Sequence, residues 1–134
     1  MNPVSFTVLG EPVPQPRPRV STRGGFARAY VPAKHPVHAY RQAIAAAARA
    51  AGLRETPHGV QVRVVVQFAR PKSHMNKNGV KGSAPKFPRA DVDNVAKAVL
   101  DSVGPIIGDD TQVCSLKVIK AYGPQSFTYV EVET

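Results

Sequence analysis

A chain of 134 residues, 43% hydrophobic and 20% charged, suits one compact domain spanning residues 1–134 and leaves little room for a second. No apolar run reaches the length of a membrane span, no leader of basic then apolar residues follows Met1, and the single Cys114 cannot form an internal disulfide, so the expected setting is the reducing cytoplasm, away from membranes. The net charge of +9 is unevenly placed: residues 1–90 hold 15 Lys/Arg and two acids, and residues 91–134 hold three Lys and seven acids, the pattern expected of a polyanion-binding enzyme that needs cations.

Val4, Phe6 and Val8 alternate with Ser5 and Thr7, which predicts a half-buried strand. The proline-rich run from Glu11 to Arg19 lacks backbone donors and reads as an extended connector. Arg17, Arg19, Arg23 and Arg28 then surround Gly24-Gly25, with Phe26 and Tyr30 nearby, as in a glycine-turned basic hairpin or arm. Val37, Tyr40, Ile44, Ala47, Ala48 and Ala51 recur at helical spacing, with Pro36 fitting the first turn and Gly52 the stop. Val60, Val62, Val64, Val66 and Phe68 give the clearest strand in the chain.

Residues 70–89 contain six Lys/Arg and no acid, and their Gly, Pro and Asn content predicts a mobile basic loop able to close over a polyanion. A second helix begins near Asp91 with an apolar stripe of Val92, Val95, Ala96, Val99 and Val103, and Gly104-Pro105 is expected to end it. Val113 to Ile119 reads as a strand in which Cys114 is a buried structural residue. After the Gly123-Pro124 turn, Phe127 to Val132 reads as the last strand. This order predicts an α/β (α+β) fold, a single mixed β-sheet with two main helices packed against it.

The chemistry concentrates in the acidic part. Asp91 and Asp93 flank the start of the second helix, Lys97 lies one turn later on the same side as Asp93, and Asp109-Asp110 stand where the next strand begins. A helix start and a strand start on one rim of the sheet would bring three or four carboxylates together. Clustered carboxylates repel unless a cation is present, and magnesium takes carboxylate, water and phosphate oxygens. The four scattered histidines and lone cysteine lack zinc spacing. Metal-assisted phosphodiester hydrolysis is the expected chemistry, with Lys97 stabilising the pentacovalent phosphate or helping to protonate the leaving oxygen. Each motif alone also has a structural explanation: Asp91 as a helix cap, Asp93 and Lys97 as an exposed ion pair, Asp109-Asp110 as turn residues.

The run Arg89-Ala90-Asp91-Val92-Asp93-Asn94-Val95-Ala96-Lys97-Ala98-Val99-Leu100-Asp101-Ser102-Val103, followed by Gly108-Asp109-Asp110-Thr111-Gln112-Val113, resembles the RusA family of Holliday junction resolvases. The family pattern is D-hydrophobic-D-N-hydrophobic-x-K-A-x-x-D-A and then D-D-x-Q-V. The arm Pro14-Gln15-Pro16-Arg17-Pro18-Arg19, with Tyr30-Val31-Pro32 after it, resembles phage and prophage members. The resemblance implies a homodimeric, magnesium-dependent endonuclease, with manganese able to substitute. Its substrate would be branched DNA, a four-way junction nicked on opposed strands in recombination and repair.

Carried over to this chain, the resemblance makes Asp91, Asp93 and Asp110 metal-binding and catalytic acids and Lys97 a catalytic lysine. Asp109 is an adjacent metal ligand ranked below Asp110. Asn94 is expected to support the metal site or the helix start, and Asp101 to be structural. Ala90 stands where proline is frequent, which predicts a less rigid approach to the helix. The connection Gly104-Pro105-Ile106-Ile107-Gly108 is short and lacks the aromatic often found there. Arg17, Arg19, Arg23, Arg28, Lys72, Lys77 and Lys86 are the DNA-binding candidates, because they sit on extended or loop segments that can track phosphates. The competing readings are a less selective branched- or flap-DNA nuclease and a non-catalytic nucleic-acid-binding protein.

Overall fold

The structure, a computed structural model, describes residues 3–134. Strand β1 (Val4–Leu9) leads into a small hairpin of β2 (Arg19–Ser21) and β3 (Arg28–Tyr30). Helix α1 (Val37–Ala50), strand β4 (Val60–Ala69), a second small hairpin of β5 (Met75–Asn76) and β6 (Gly79–Val80), helix α2 (Val92–Ile107) and strands β7 (Val113–Gly123) and β8 (Phe127–Glu133) follow.

Four strands form one mixed sheet in the order β1-β8-β4-β7. β8 runs antiparallel to both β1 and β4, whereas β7 is parallel to β4 and reaches it through α2, the crossover a parallel pair requires. Register places Phe6, Val130, Val64 and Val118 in a row across the sheet. Val60, Val62, Val64, Val66, Val130 and Val132 are buried on that face, beneath the helices. α1 packs on β1 and on α2, and α2 packs on β7, so both helices cover the same face. The predicted fold class is the one observed.

α1 buries Val37, Tyr40, Ile44 and Ala48. Gly52, at φ +99, follows it in the conformation that ends helices, while Ala51 lies beyond the helix and is exposed. α2 buries Val95, Val99, Val103 and Ile107, residues spaced by four along one side. Full burial of each such side chain contributes roughly 1.5–3 kcal/mol.

That stripe explains why Gly104-Pro105 does not end the helix. Pro105 removes one amide donor in the last turn, yet Ile107 is fully buried and holds that turn on the core. Val92, expected in the stripe, is exposed at the first helical position.

Cys114 is exposed, against expectation. Val60 pairs with Val113 but Gln61 pairs with Ser115, so Cys114 is the extra residue of a bulge on the edge strand. Its thiol donates to the Gln112 carbonyl at 3.4 Å instead of packing inward. The basic segment 70–89 carries more structure than a bare loop, with a 3-10 turn at Lys72–His74 and the β5–β6 hairpin. Among the described residues, no helix is long and apolar enough to cross a membrane.

Candidate active site

Asp91 takes the N-cap position of α2 with extended backbone, φ −72 and ψ 133, yet its side chain makes no capping hydrogen bond. Its carboxylate is left available, so the capping explanation does not account for the residue. Asp93 and Lys97 are exposed one turn apart, and half-buried Asp101 comes one turn further. Gly104 stands eleven residues after Asp93, close to three full turns, and returns to the same side.

Asp110 closes on that side from outside the helix. A Cβ on Gly104 would lie 3.0 Å from the Asp110 Cβ and 3.2 Å from its amide nitrogen, so the absence of a side chain there admits the acid. Leu100, Asp101, Gly104, Pro105, Gly108, Asp109 and Asp110 line a cavity of about 300 Å³ at this end of α2.

The turn carrying Asp110 is fixed by its neighbours. Asp109 caps the short 3-10 helix Asp110–Gln112: its Oδ1 accepts the Thr111 amide at 2.9 Å, and its own amide donates to Gln112 Oε1 at 2.9 Å. Gln112 Nε2 donates to the carbonyls of Thr56 and His58 at 2.6 and 3.0 Å, tying the turn to the segment before β4. Gly108, at φ +132, makes the bend after α2, and a Cβ there would meet Gln112 Oε1 at 2.5 Å.

The two acids of this turn are electrostatically unequal. The hydrogen bond with Asp109 raises the Asp110 carboxyl above its ordinary range, reinforced by some desolvation and by the charges of Asp109 and Asp101, with Lys97 opposing. The Thr111 amide and the hydrogen bond from Asp110 hold Asp109 lower. Of the two, Asp110 is therefore the acid that takes up a proton more readily.

At the other end of α2, three segments meet. The Gln15 amide donates to the Asn94 carbonyl at 2.9 Å, so the proline-rich arm is pinned to the first turn of the helix and Arg17 emerges beside it. Lys120 of β7 donates to the carbonyls of Pro88 and Ala90, both at 2.8 Å, and its ammonium lies 5.8 Å from the centre of the Phe87 ring. These bonds fix the residues directly before Asp91, where Ala90 in place of proline had predicted a less rigid approach to the helix. Arg70 anchors the basic segment through the Pro85 carbonyl at 2.7 Å. Arg17, Arg19, Arg23, Arg28, Lys72, Lys77 and Lys86 are all exposed.

The structure thus brings Asp93, Lys97, Asp101 and Asp110 onto one side of α2 but does not gather the acids at one point. Among the described residues, no three His, Cys, Asp or Glu side chains converge closely enough to hold a metal ion. The rise of the helix separates Asp93 from Gly104, and so from Asp110, by about 16 Å. The shared rim expected for the helix start and strand start is not formed, because β7 begins at the far end of α2. In donor chemistry the set fits a hard divalent cation: the groups are carboxylates, Asp91 makes no capping bond, and the negative charges of Asp109 and Asp101 bear on Asp110. Three side chains without an assigned positioning role in the sequence reading have one here. Asp101 borders Asp110 and was legible as the second four-residue step from Asp93. Gln112 was visible in the motif. Lys120 carried no signal along the chain.

Comparison with known proteins identifies the family. The family model described as endodeoxyribonuclease RusA matches residues 10–133. An uncharacterized protein of Bacillus subtilis (strain 168), YqaN, is 36% identical over 132 residues, covering 93% of this chain and 92% of the relative. The chain belongs to the RusA endodeoxyribonuclease family.

Proposed function

We propose that this protein is a homodimeric, magnesium-dependent endodeoxyribonuclease of the cytoplasm that resolves four-way DNA junctions by paired, symmetric nicks in recombination and repair. One observation carries the reading: Asp93, Lys97, Asp101 and Asp110 share one side of α2, whose start lies between two strongly basic segments. An acidic line flanked by cations suits a scissile phosphate approached along a polyanion. The exposed Cys114 thiol suits a reducing compartment.

Asp91, Asp93 and Asp110 would hold the ion, with manganese as a possible substitute for magnesium. Asp109 ranks below them because the Thr111 amide occupies its Oδ1. When bound, the divalent cation supplies activation of water and neutralisation of charge on the phosphate. The chain's own contributions are separate. The Lys97 ammonium would stabilise charge on the phosphate oxygens or help to protonate the leaving oxygen. Lys120 and Gln112 hold the two acidic groups in place.

The separation of those groups supports a site completed by a second copy. With two α2 helices antiparallel across a two-fold axis, the Asp91–Asp93 end of one chain faces Asp110 of the partner subunit. Two such sites then arise by symmetry, as paired nicking requires.

Mixing inactive subunits tests this reading. Asp93→Asn and Asp110→Asn are each expected to be inactive alone on a labelled four-way junction with Mg²⁺. In a mixed dimer, one site collects both substitutions and the other collects none, so single-strand nicking should return. No recovery after subunit exchange has been verified would contradict the shared site. Full activity of either variant alone would contradict the assignment of the acids.

A further inference from the structure

Beyond the acidic line, the C-terminal end of β7 and the β5–β6 hairpin enclose a cavity of about 430 Å³. Arg70, Met75, Val80, Tyr122, Gly123 and Pro124 line it. Met75 and Val80 are cross-strand partners on the hairpin, and both are exposed, at 41% and 50%. The Arg70 guanidinium lies over the Tyr122 ring, 4.3 Å from its centre, and the His74 ring meets Tyr122 edge-on at 5.5 Å. Arg70 is itself anchored on the Pro85 carbonyl. A guanidinium stacked on an aromatic ring and two aliphatic side chains thus line one open space.

The surroundings restrict what can fill it. Residues 70–89 carry six Lys/Arg and no acid, so an anionic partner is favoured over a neutral apolar or cationic one. Tyr122 follows Lys120 by two residues on the same face of β7, roughly 7 Å along the strand. Lys120 in turn holds the Ala90 carbonyl just before Asp91. The cavity is therefore tied through Tyr122 and Lys120 to the residue before Asp91, on the side of the acidic line's start.

We propose that this cavity receives one unstacked nucleobase of the DNA, held by Tyr122 and Arg70 on one side and by Met75 and Val80 on the other. The backbone of that nucleotide lies on the surrounding cations. A flat, aromatic ligand attached to an anion matches both the apolar lining and the charged rim. The placement rests on the nuclease reading above; the capture of an unpaired base does not require a junction, because any single strand offers one.

Binding of a short oligothymidylate, compared with an abasic deoxyribose-phosphate oligomer of equal length and charge, tests the cavity directly. At matched salt the native protein should prefer the oligothymidylate by about tenfold, within the range of one base–aromatic stack. Tyr122→Leu, and separately Met75→Ser together with Val80→Ser on the exposed hairpin, should abolish the preference while leaving abasic binding unchanged. No preference in the native protein, or a preference that survives both variants, overturns the proposal. Retained preference with a changed oligomeric state in the hairpin variant also overturns it, since a second copy then fills the cavity. A four-way junction assayed in parallel separates the two readings. Base-dependent binding without junction cleavage leaves the cavity and refutes the resolvase, and cleavage with no base preference does the reverse.

Discussion

The Asp110 carboxyl lies above its ordinary range, first through its hydrogen bond with Asp109, then through some desolvation and the charges of Asp109 and Asp101. Asn at position 110 would keep the size, donate to Asp109 and remove the repelling charge. Asp110→Asn is therefore expected to lower cleavage by more than about a hundredfold, exceeding the loss of an outer-shell partner, while raising the melting temperature at neutral pH and preserving DNA affinity. Gly104 acts on the same acid without touching a metal. Gly104→Ala gains about 1 kcal/mol of helix propensity but sets a methyl group against Asp110, so cleavage should fall roughly tenfold or more with little change in melting temperature. Tyr40 gives an independent check on the core. Burial pushes its phenol from the ordinary 10.0 up to about 12, against the opposing hydrogen bond with Thr128 at 2.6 Å. The folded state then binds more protons than the unfolded state between those values, so this contribution is complete below 10 and lost as pH rises toward 12. Melting curves across that window should fall less steeply for Tyr40→Phe than for the native protein.

At the scale of elements, β7 links the two ends of α2. Its start follows the Asp110 turn, and Lys120 near its end grips the residues before Asp91. Lys120→Met removes both hydrogen bonds and keeps most of the stem, so a reduction in cleavage of about ten- to a hundredfold is expected. A higher magnesium requirement should accompany it, with partial rescue by Lys120→Arg; loss of stability with the magnesium requirement unchanged would instead assign Lys120 a purely structural role. The elements themselves were largely legible. Val60 to Phe68 alternate because one face of β4 is covered and the other is not, and the α1 stripe reports burial in the same way. Pro105 misled because local propensity is weaker than burial of Ile107, and Cys114 because a bulge depends on the pairing of β4 with β7 and leaves no mark on β7 alone. The two acid motifs were visible, but their separation was not. It follows from the antiparallel return of the chain after α2, which spacing along the sequence does not encode.

For the whole molecule, the two basic segments are both tied near the start of α2. The arm is pinned at Asn94, the 70–89 segment is pinned at Lys120, and the acidic line begins between them. Such a surface attracts any DNA, with affinity falling about 0.9 log units per tenfold rise in salt for each duplex phosphate contacted, so binding alone does not identify the substrate. In the proposed dimer, the geometry along α2 repeated by a two-fold axis is what should select a branched duplex over a linear one. The most direct test is cleavage of a labelled four-way junction with Mg²⁺, beside fork, flap and linear duplex at matched salt. Expected are paired nicks on opposed strands of the junction, lost on chelation and in Asp91→Asn, with the other substrates cut at least about tenfold more slowly. A junction that is bound but left intact across a magnesium and manganese series, or cut no faster than linear duplex, would contradict the account.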